Sequence, residues 1–349
     1  HAVRKGADYY SEYTHARRKA PISIYMEVTS KCPYHCAHCS AANRTTHHDM
    51  PTDVLKCHLK DMQDMGVAII GLTGGEPMVR KDLLELIDSV DDRSVVYLFT
   101  SGVGLTHQKA RDLKKAGLFS TGISIDSTVQ EVMDANRGKA GAFDTAVSAI
   151  KASLDASLYT MIQTVASKKM VENGELLRVV ELARSLGVHE VRVLENMPSG
   201  RLIHISASNI LSNQDREKLK QFHEELNKKK GYPKVTVFAH TEDFSRYGCG
   251  AGSQHSYIDS EGELYPCDFV PLSFGNINNV PLPELWKAMN DKIGIPRNQC
   301  MIMELYSKQL LQKMNTYPVN LMQSEEIIKK LDKCEHLPGF YTTLSGKTK

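Results

Sequence analysis

The chain lacks long apolar runs and has no marked excess of charge of either sign. Its 349 residues include 43 basic and 41 acidic side chains, for a formal net charge of +2, so it has no global basic field that would attract nucleic acid. Its longest apolar stretches are strand-sized, far shorter than the roughly 20 residues that span a bilayer, and residues 1–30 contain no hydrophobic region of a signal peptide. We therefore expect a cytoplasmic protein that binds neither nucleic acid nor membranes.

Disulfide bonds are a poor explanation for the cysteines, because cytosolic thiols are kept reduced. Of the eight cysteines, three lie within residues 32–39, one is Cys57, and the others lie in the last third of the chain: Cys249, Cys267, Cys300 and Cys334. This distribution indicates two separate metal or iron–sulfur sites. Cys57 lies on the face of a predicted helix opposite its apolar residues, so we interpret it as a free thiol without a role.

Short β-rich apolar runs alternate with amphipathic helical patterns up to about residue 200. The predicted strands cover residues 22–28, 68–73, 95–100, 122–126, 159–165 and 190–194. The predicted helices cover residues 53–65, 81–90, 108–116, 146–154 and 174–186, and several end just before a glycine, which favours a left-handed cap. Six consecutive βα units predict an α/β fold with a parallel sheet, curled by right-handed crossovers into an open or closed barrel.

The pattern changes after a very polar helix predicted at residues 213–230, whose lysine-rich end suits a helix terminus and a linker. β-Structure is predicted at residues 234–240, and a hairpin joins residues 254–259 to residues 263–266. Residues 301–349 are helical in pattern. We therefore divide the chain into an N-terminal extension at 1–20, a barrel with its linker helix at 21–230, and a small α+β domain at 231–349.

Three cysteines follow the first predicted strand with the spacing C-x3-C-x2-C: Cys32, Cys36 and Cys39. Three thiolates on one loop can bind three irons of a cubane and leave the fourth iron open to an exogenous ligand, whereas structural clusters normally use four cysteines. The alternative is a zinc site closed by His35 or His38, although zinc sites usually pair C-x2-C units. We therefore predict an iron–sulfur cluster with one open iron.

Small and polar residues follow the ends of the next predicted strands. Gly74-Gly75-Glu76-Pro77 ends the second strand, where glycines permit close approach of a ligand and a carboxylate can accept hydrogen bonds from an ammonium group. Thr100 follows the third strand, and Ser124 and Asp126 end the fourth. Taken singly, such hydroxyls also suit helix caps. Because ligand residues gather at the carboxyl ends of barrel strands, we predict that this set shares one site with the cysteine loop.

These motifs, together with Arg137 and the glycines that follow it, resemble the radical S-adenosylmethionine (AdoMet) superfamily over residues 20–200. The resemblance implies a partial (β/α)6 barrel whose three clustered cysteines bind a [4Fe–4S] cluster. That cluster would reductively cleave AdoMet to a 5′-deoxyadenosyl radical, which abstracts a substrate hydrogen. The resemblance also implies a reducing partner such as flavodoxin or ferredoxin.

The same resemblance assigns roles in AdoMet binding. The methionine amino group would meet Gly74, Gly75 and Glu76, in the turn that Pro77 completes. The carboxylate and the ribose would meet Thr100, Ser124 and either Asp126 or Arg137, although Arg137 suits a surface ion pair equally well. His38 would pack on the adenine.

A second motif, C-x12-G-x4-C, runs from Cys249 through Gly262 to Cys267 and brackets the predicted hairpin. It resembles the start of the SPASM and twitch extensions, which carry auxiliary [4Fe–4S] clusters. Such extensions commonly finish with C-x2-C pairs, but here only the isolated Cys300 and Cys334 follow, so one auxiliary cluster is the most that these cysteines support. If all four ligate, the cluster is closed; if Cys300 or Cys334 does not, an open iron could bind substrate.

The substrate is the least determined feature. We favour peptide or protein modification over radical chemistry on a small molecule in cofactor, tetrapyrrole or aminocyclitol biosynthesis. About thirty residues precede the cysteine loop, which predicts a separate carrier or direct capture of a peptide. Candidate substrate-facing residues are Tyr34, His35, Gln163, Glu195, Asn196, Arg201, His240 and His255. A hypothesis from another class is a non-catalytic iron–sulfur or zinc protein serving as a sensor or scaffold.

Overall fold

The computed structural model describes residues 19–42, 48–314 and 318–344. Its strands are β1 Ser23–Thr29, β2 Ile69–Gly74, β3 Val95–Thr100, β4 Leu118–Ser124, β5 Tyr159–Ala166, β6 Glu190–Glu195, β7 Lys234–Val237, β8 His255–Ile258 and β9 Leu264–Tyr265. They form one sheet in the order β7-β6-β5-β4-β3-β2-β1-β8-β9. Residues 1–18 of the predicted N-terminal extension lie outside the described residues.

The sheet is parallel from β7 through to β8, and only β9 pairs antiparallel, with β8. The prediction of six consecutive parallel βα units is therefore confirmed, as is the hairpin near residue 260. β7 and the hairpin add to opposite edges of the same sheet, so the predicted boundary near residue 230 does not coincide with a break in strand pairing.

The described helices include each predicted one, with shifts of a few residues at its ends, and four that the sequence analysis did not predict, at residues 130–137, 168–172, 238–241 and 282–293. They are α1 Thr52–Met65, α2 Leu83–Asp88, α3 His107–Lys115, α4 Gln130–Arg137, α5 Ala142–Asp155, α6 Lys168–Glu172, α7 Glu175–Leu186, α8 Asn213–Asn227, α9 Phe238–Thr241, α10 Leu282–Ile293, α11 Met301–Ser307, α12 Leu321–Ile328 and α13 Gly339–Leu344. α1 and α7 end at Gly66 and Gly187 in the left-handed conformation, as their sequences predict. None of the described helices combines the length and apolar character needed to cross a membrane.

Two boundaries differ from the predictions for physical reasons. β4 begins at Leu118 rather than at residue 122, because Phe119 and Thr121 favour extended backbone. It also ends before Asp126, whose buried side chain forms an ion pair. The strand predicted at 234–240 stops at Val237 and continues as α9. Strand β7 is an edge strand, and its pairing with β6 ends at Val237 opposite Val193.

The helices cover one face of the sheet and build the core there. Ile24 and Met26 of β1 and Leu55 and Leu59 of α1 are fully buried members of this core, and burying each such side chain contributes about 1.5–3 kcal/mol. The other face is polar and aromatic. Because parallel strands end at the same edge, the loops after β1–β6 meet at one rim of the partial barrel.

Candidate active site

A cavity of about 950 Å³ opens at this rim and extends to the C-terminal cysteines. Its lining includes the three cysteines of the first loop and three of the later ones, Cys249, Cys267 and Cys300. Of the residues predicted to bind AdoMet, the lining contains His38, Gly74, Gly75, Glu76, Thr100, Ser124 and Arg137. Pro77, Asp126 and Cys334 are not in the lining. One cavity therefore joins the two predicted cysteine sites.

The Gly74-Gly75 turn packs directly against the backbone at the start of the cysteine loop. Gly75 N donates to Thr29 O at 2.7 Å, and Glu76 N donates to Lys31 O at 2.8 Å. A Cβ atom on Gly75 would lie 2.3 Å from Lys31 O, and one on Gly74, whose φ is +147°, would lie 2.3 Å from Thr29 O. The contact between two backbone segments thus requires both glycines.

The cysteine loop is held on its other sides by two further backbone contacts. His35 N donates to Arg137 O at 3.0 Å at the end of α4. In the loop after β6, Arg201 N donates to Cys39 O at 3.0 Å and the Arg201 guanidinium donates to Cys36 O at 2.6 Å. Gly200 has φ +53°, and a Cβ atom there would lie 2.1 Å from Cys39 O. The sequence marks a turn at residues 198–200, but nothing in it indicates this partner.

Glu76 is a buried carboxylate that accepts four hydrogen bonds from the protein. Its Oε1 accepts from Thr100 Oγ1 at 2.6 Å and from Met78 N at 3.1 Å. Its Oε2 accepts from the Ser101 amide at 2.7 Å and from Ser101 Oγ at 2.5 Å. Burial raises the pKa of Glu76, and these hydrogen bonds oppose the rise. The Thr100 hydroxyl, predicted to meet AdoMet or to cap a helix, here orients Glu76 and accepts from Gly102 N at 2.9 Å.

Arg137 forms a buried ion pair with Asp126, at 2.6 Å between Nη2 and Oδ2. Of the two readings left open by the sequence, the surface ion pair is therefore excluded. Arg137 Nη1 also lies 3.7 Å from Cys36 Sγ, and His38 Nε2 lies 3.5 Å from Asp126 Oδ2. Burial opposes ionisation of Asp126, but Arg137 and then His38 outweigh it and lower its pKa. A guanidinium is thus fixed beside one of the three thiols.

The first cysteine site fits a [4Fe–4S] cluster with an open iron. Burial raises the pKa of Cys32 to about 11, with further contributions from the negative charges of Glu76, Cys36 and Cys39. Three ionised thiolates on one loop repel each other unless a positively charged metal centre lies between them. His38, one candidate for closing a zinc site, is directed to Asp126. The donor set is three thiols beside an open cavity, and His35, the other candidate for closing a zinc site, also lines that cavity.

Backbone pairing brings the second group of cysteines together. Cys249 N donates to Arg297 O at 2.8 Å and Arg297 N donates back at 3.0 Å, which places Cys300 nearby as the N-terminal cap residue of α11. Gly252 N donates to Pro266 O at 2.8 Å, so Cys267 lies next to the same loop. Cys334 Sγ contacts Asn298 Oδ1 at 3.4 Å. Three of the four predicted ligands therefore share the cavity.

Acidic side chains absent from the predicted ligands lie among these thiols. Ligand atoms of Glu242, Cys249 and Cys300 lie within 4.8 Å of one another, and so do those of His255, Cys267 and Asp268. The Cys300 thiol donates to Cys249 and lowers the pKa of Cys249. Burial raises the pKa of Glu242, and the negative charges of Cys249, Glu195 and Asp268 raise it further. Sequence reasoning missed Glu242, whose only signal is its place seven residues before Cys249.

Six of the eight predicted substrate-facing residues line the cavity: Tyr34, His35, Gln163, Glu195, Arg201 and His255. Asn196 and His240 are not in the lining, and His240 stacks on His223 at 3.9 Å between ring centroids. Tyr25 and Phe99, which the sequence analysis did not select, also line the cavity, with ring centroids 4.8 Å apart. Burial raises the pKa of Tyr25 to about 12, so this phenol stays protonated at neutral pH.

Comparison with family models and known proteins agrees with this geometry. Residues 26–168 match the model of the radical SAM superfamily, and residues 249–299 match SPASM, an iron–sulfur cluster-binding domain. The AdoMet-dependent heme synthase of Methanosarcina barkeri is 29% identical over 297 residues, covering 78% of this chain and 84% of the relative. The mycofactocin maturase MftC of Mycolicibacterium smegmatis is 30% identical over 263 residues, covering 72% and 65%.

Solved structures share the fold at low sequence identity. Streptococcus suis SuiB bound to its precursor peptide SuiA superposes with a TM-score of 0.66 at 17% identity, covering 81% of this chain and 68% of SuiB. The enzyme anSMEcpe with bound AdoMet superposes with a TM-score of 0.62 at 19% identity, covering 78% and 82%. The predicted partial barrel with a C-terminal SPASM-type domain is thereby confirmed.

The chain is an enzyme of the radical SAM superfamily and carries a C-terminal SPASM domain. Its cofactors are a [4Fe–4S] cluster, AdoMet and an additional iron–sulfur centre.

Proposed function

We propose that this enzyme abstracts a hydrogen atom from a peptide or protein substrate held between its two cysteine sites. The observation that carries the proposal is the single cavity that reaches from Cys32, Cys36 and Cys39 to Cys249, Cys267 and Cys300. A substrate residue placed there would face AdoMet on one side and the additional iron–sulfur centre on the other.

Some residues of the first site would hold the cofactors, and others would position them. When bound, the cluster and AdoMet supply a 5′-deoxyadenosyl radical. The three cysteines would hold the cluster, while the turn at Gly74 and Gly75 fixes the start of their loop. Glu76 would direct an oxygen lone pair at the methionine ammonium group by exchanging one of its present hydrogen bonds. Enclosure in the cavity would keep the radical away from water and competing reactions.

Other predicted residues would complete AdoMet binding from the strand ends. Ser124 lines the cavity at the end of β4 and would meet the ribose or the carboxylate. Asp126 would act through Arg137, because their buried ion pair holds the guanidinium toward Cys36. His38 lines the cavity, where its ring would pack on the adenine.

The charge of the cavity supports a peptide over a polycarboxylate. Among the described residues, five carboxylates line it, whereas its lysine and arginine residues are three: Lys31, Arg137 and Arg201. Arg137 pairs with Asp126 and Lys31 lies 3.5 Å from Asp49, so little positive charge is left for acidic groups of a substrate. Glu195 is likewise paired, with Arg216 at 3.0 Å, and the scarcity of available cations favours a neutral or cationic segment over a polyanionic substrate. The similarity to the maturase MftC points the same way.

A second candidate is radical chemistry on a tetrapyrrole. The similarity to the AdoMet-dependent heme synthase of Methanosarcina barkeri, which covers 84% of that relative, favours it. Porphyrin-type substrates carry several carboxylates, so this candidate requires basic groups that move into the cavity on binding.

Deuterium transfer distinguishes the two candidates. The protein would be reconstituted with iron and sulfide, reduced, and incubated with AdoMet and an extract of its own organism grown in heavy water. We expect deuterium in the 5′-deoxyadenosine, measured by mass spectrometry, and we expect exhaustive proteolysis of the extract to abolish it. The Cys36→Ala variant should form no 5′-deoxyadenosine, whereas Cys57→Ala should match the wild type. Transfer that survives proteolysis and follows the tetrapyrrole fraction would contradict the peptide proposal and support the second candidate.

We further propose that the protein works in the cytoplasm with flavodoxin or ferredoxin as its reductant. All eight cysteines are unpaired, which supports a reducing compartment. Turnover with a purified flavodoxin system in place of dithionite tests the reductant.

A further inference from the structure

The second cysteine site contains a carboxylate, that of Glu242, beside two of its thiols. Glu242 follows α9, and its carboxylate oxygen lies within 4.8 Å of the sulfurs of Cys249 and Cys300. Within residues 19–42, 48–314 and 318–344, no hydrogen bond or ion pair engages this carboxylate, although it lines the cavity. A carboxylate placed among thiols in a largely enclosed site is costly unless a cation or a proton compensates it.

The backbone holds Glu242 in this place. Its amide donates to Phe238 O at 2.8 Å, which ends α9. The following turn is closed by Tyr247 N donating to Thr241 O at 3.2 Å and by Gly248 N donating to Asp243 O at 3.1 Å. The chain therefore returns to Cys249 beside Glu242, and the position of the carboxylate does not depend on a flexible loop.

The other carboxylate near these thiols already has partners. Asp268 Oδ1 accepts from the Cys267 thiol at 3.2 Å and lies 3.5 Å from His255 Nε2. Cys334, the remaining cysteine, contacts Asn298 and is absent from the cavity lining. The sulfurs of Cys249, Cys267 and Cys300 and the Glu242 carboxylate are thus the remaining candidate ligands at this end of the cavity.

We propose that Glu242, together with Cys249, Cys267 and Cys300, ligates the additional iron–sulfur cluster, and that Cys334 does not. The site is a closed set of three sulfurs and one oxygen for a [4Fe–4S] cluster. Carboxylate oxygen is a hard ligand that binds iron, so one iron differs from the other three. This inference concerns the second site alone and does not depend on the substrate proposed above.

The test isolates the second cluster in the full chain. Replacing all three cysteines of the first loop by serine (Cys32→Ser, Cys36→Ser, Cys39→Ser) removes the AdoMet-binding cluster. After reconstitution with ⁵⁷Fe and sulfide, we expect about four irons per chain by the stoichiometry of one cubane. The Mössbauer spectrum should show one iron with a larger isomer shift than the other three, because oxygen is a weaker electron donor to iron than thiolate. Added Glu242→Cys should keep four irons but lose that distinct signal.

Three further variants in this background make the result decisive. Glu242→Gln should lose at least one iron per chain or the distinct signal, whereas Cys334→Ser should retain both iron content and spectrum. Far-ultraviolet circular dichroism verifies that each variant is folded, and Cys57→Ser controls for thiol loss. A complete, unchanged cluster in Glu242→Gln would overturn the proposal. So would loss of the cluster in Cys334→Ser, or uptake of zinc in place of iron.

Discussion

Gly200 provides a direct test of how the cysteine loop is positioned. In Gly200→Ala, the new Cβ would lie 2.1 Å from Cys39 O and 2.6 Å from Ser40 O. Both contacts are with backbone, so no side-chain rotation relieves them. Restoring ordinary separations requires a movement of about 1 Å in the loop or its neighbour, with loss of the 3.0 Å hydrogen bond from Arg201 N to Cys39 O.

The expected effect has two parts that a matched control separates. The positive φ of residue 200 costs an alanine about 1–2 kcal/mol of folding stability. Gly187→Ala is the control: its φ of +78° destabilises an alanine to the same extent, but the new Cβ has no atom within 4 Å. Gly200→Ala should therefore lose more stability than Gly187→Ala, because the clash and the lost hydrogen bond add to the cost of the positive φ, and only Gly200→Ala should misplace Cys39. A displacement of 1 Å can cost about 100-fold in rate.

The assay is the initial rate of 5′-deoxyadenosine formation, with iron content measured on the same samples. We expect Gly200→Ala to be slower than Gly187→Ala by about 100-fold, with or without reduced iron content. If the two variants cleave AdoMet at rates within about threefold of each other, far short of that expected loss, and hold equal iron, the loop after β6 does not position the cysteines and the reasoning is refuted.

Two other predictions concern stability. Asp126→Asn should lower the free energy of unfolding of the metal-free protein by about 3–5 kcal/mol, because it leaves Arg137 buried without its counter-ion. Denaturant unfolding measures this change. A loss below about 1 kcal/mol, which is typical of exposed ion pairs, would contradict a buried pair. Burial, followed by the charge of His240, lowers the pKa of His223 in the folded protein to about 4. In the unfolded chain the pKa is about 6.5, so the folded state is favoured fully above that pH, where His223 is neutral in both states. This contribution to stability is lost as the pH falls from 6.5 toward 4, because the unfolded chain then binds a proton that the folded protein does not. Between pH 7 and pH 5 the free energy of unfolding of the wild type should fall by about 1 kcal/mol more than that of His223→Gln, a figure reduced for the partial exposure of the ring. An equal fall in the free energy of unfolding of both proteins would contradict the prediction.

The class of fold and the first site were predictable because their signals are local. Apolar runs alternating with amphipathic helices require a parallel sheet, and β3 has the predicted bounds, residues 95–100. Three cysteines on one loop after β1 need no tertiary information to be predicted as cluster ligands. Five of the residues predicted from their strand-end positions line the cavity, namely Gly74, Gly75, Glu76, Thr100 and Ser124, because parallel strands bring their carboxyl ends to one rim.

Contacts between distant loops were not predictable in the same way. Gly200 carries the turn signal that any surface loop would show, yet its backbone packs on Cys39. Arg137 suits a surface ion pair by sequence, but the fold buries it against Asp126. Whether a polar residue faces solvent or a counter-ion depends on which segments meet, and residue type alone does not encode that.

The sequence by itself thus determined the chemistry of this enzyme: the number and spacing of its clustered thiols, the parallel sheet that supports them, and two separate cysteine sites. Only the tertiary structure decided that one cavity joins the two sites and that Cys334 lies apart from it. It also decided that Glu242 lies with Cys249 and Cys300. The physical reason is that ligands within a loop have distances set by the chain, whereas ligands from different loops have distances set by backbone pairing, here between Cys249 and Arg297.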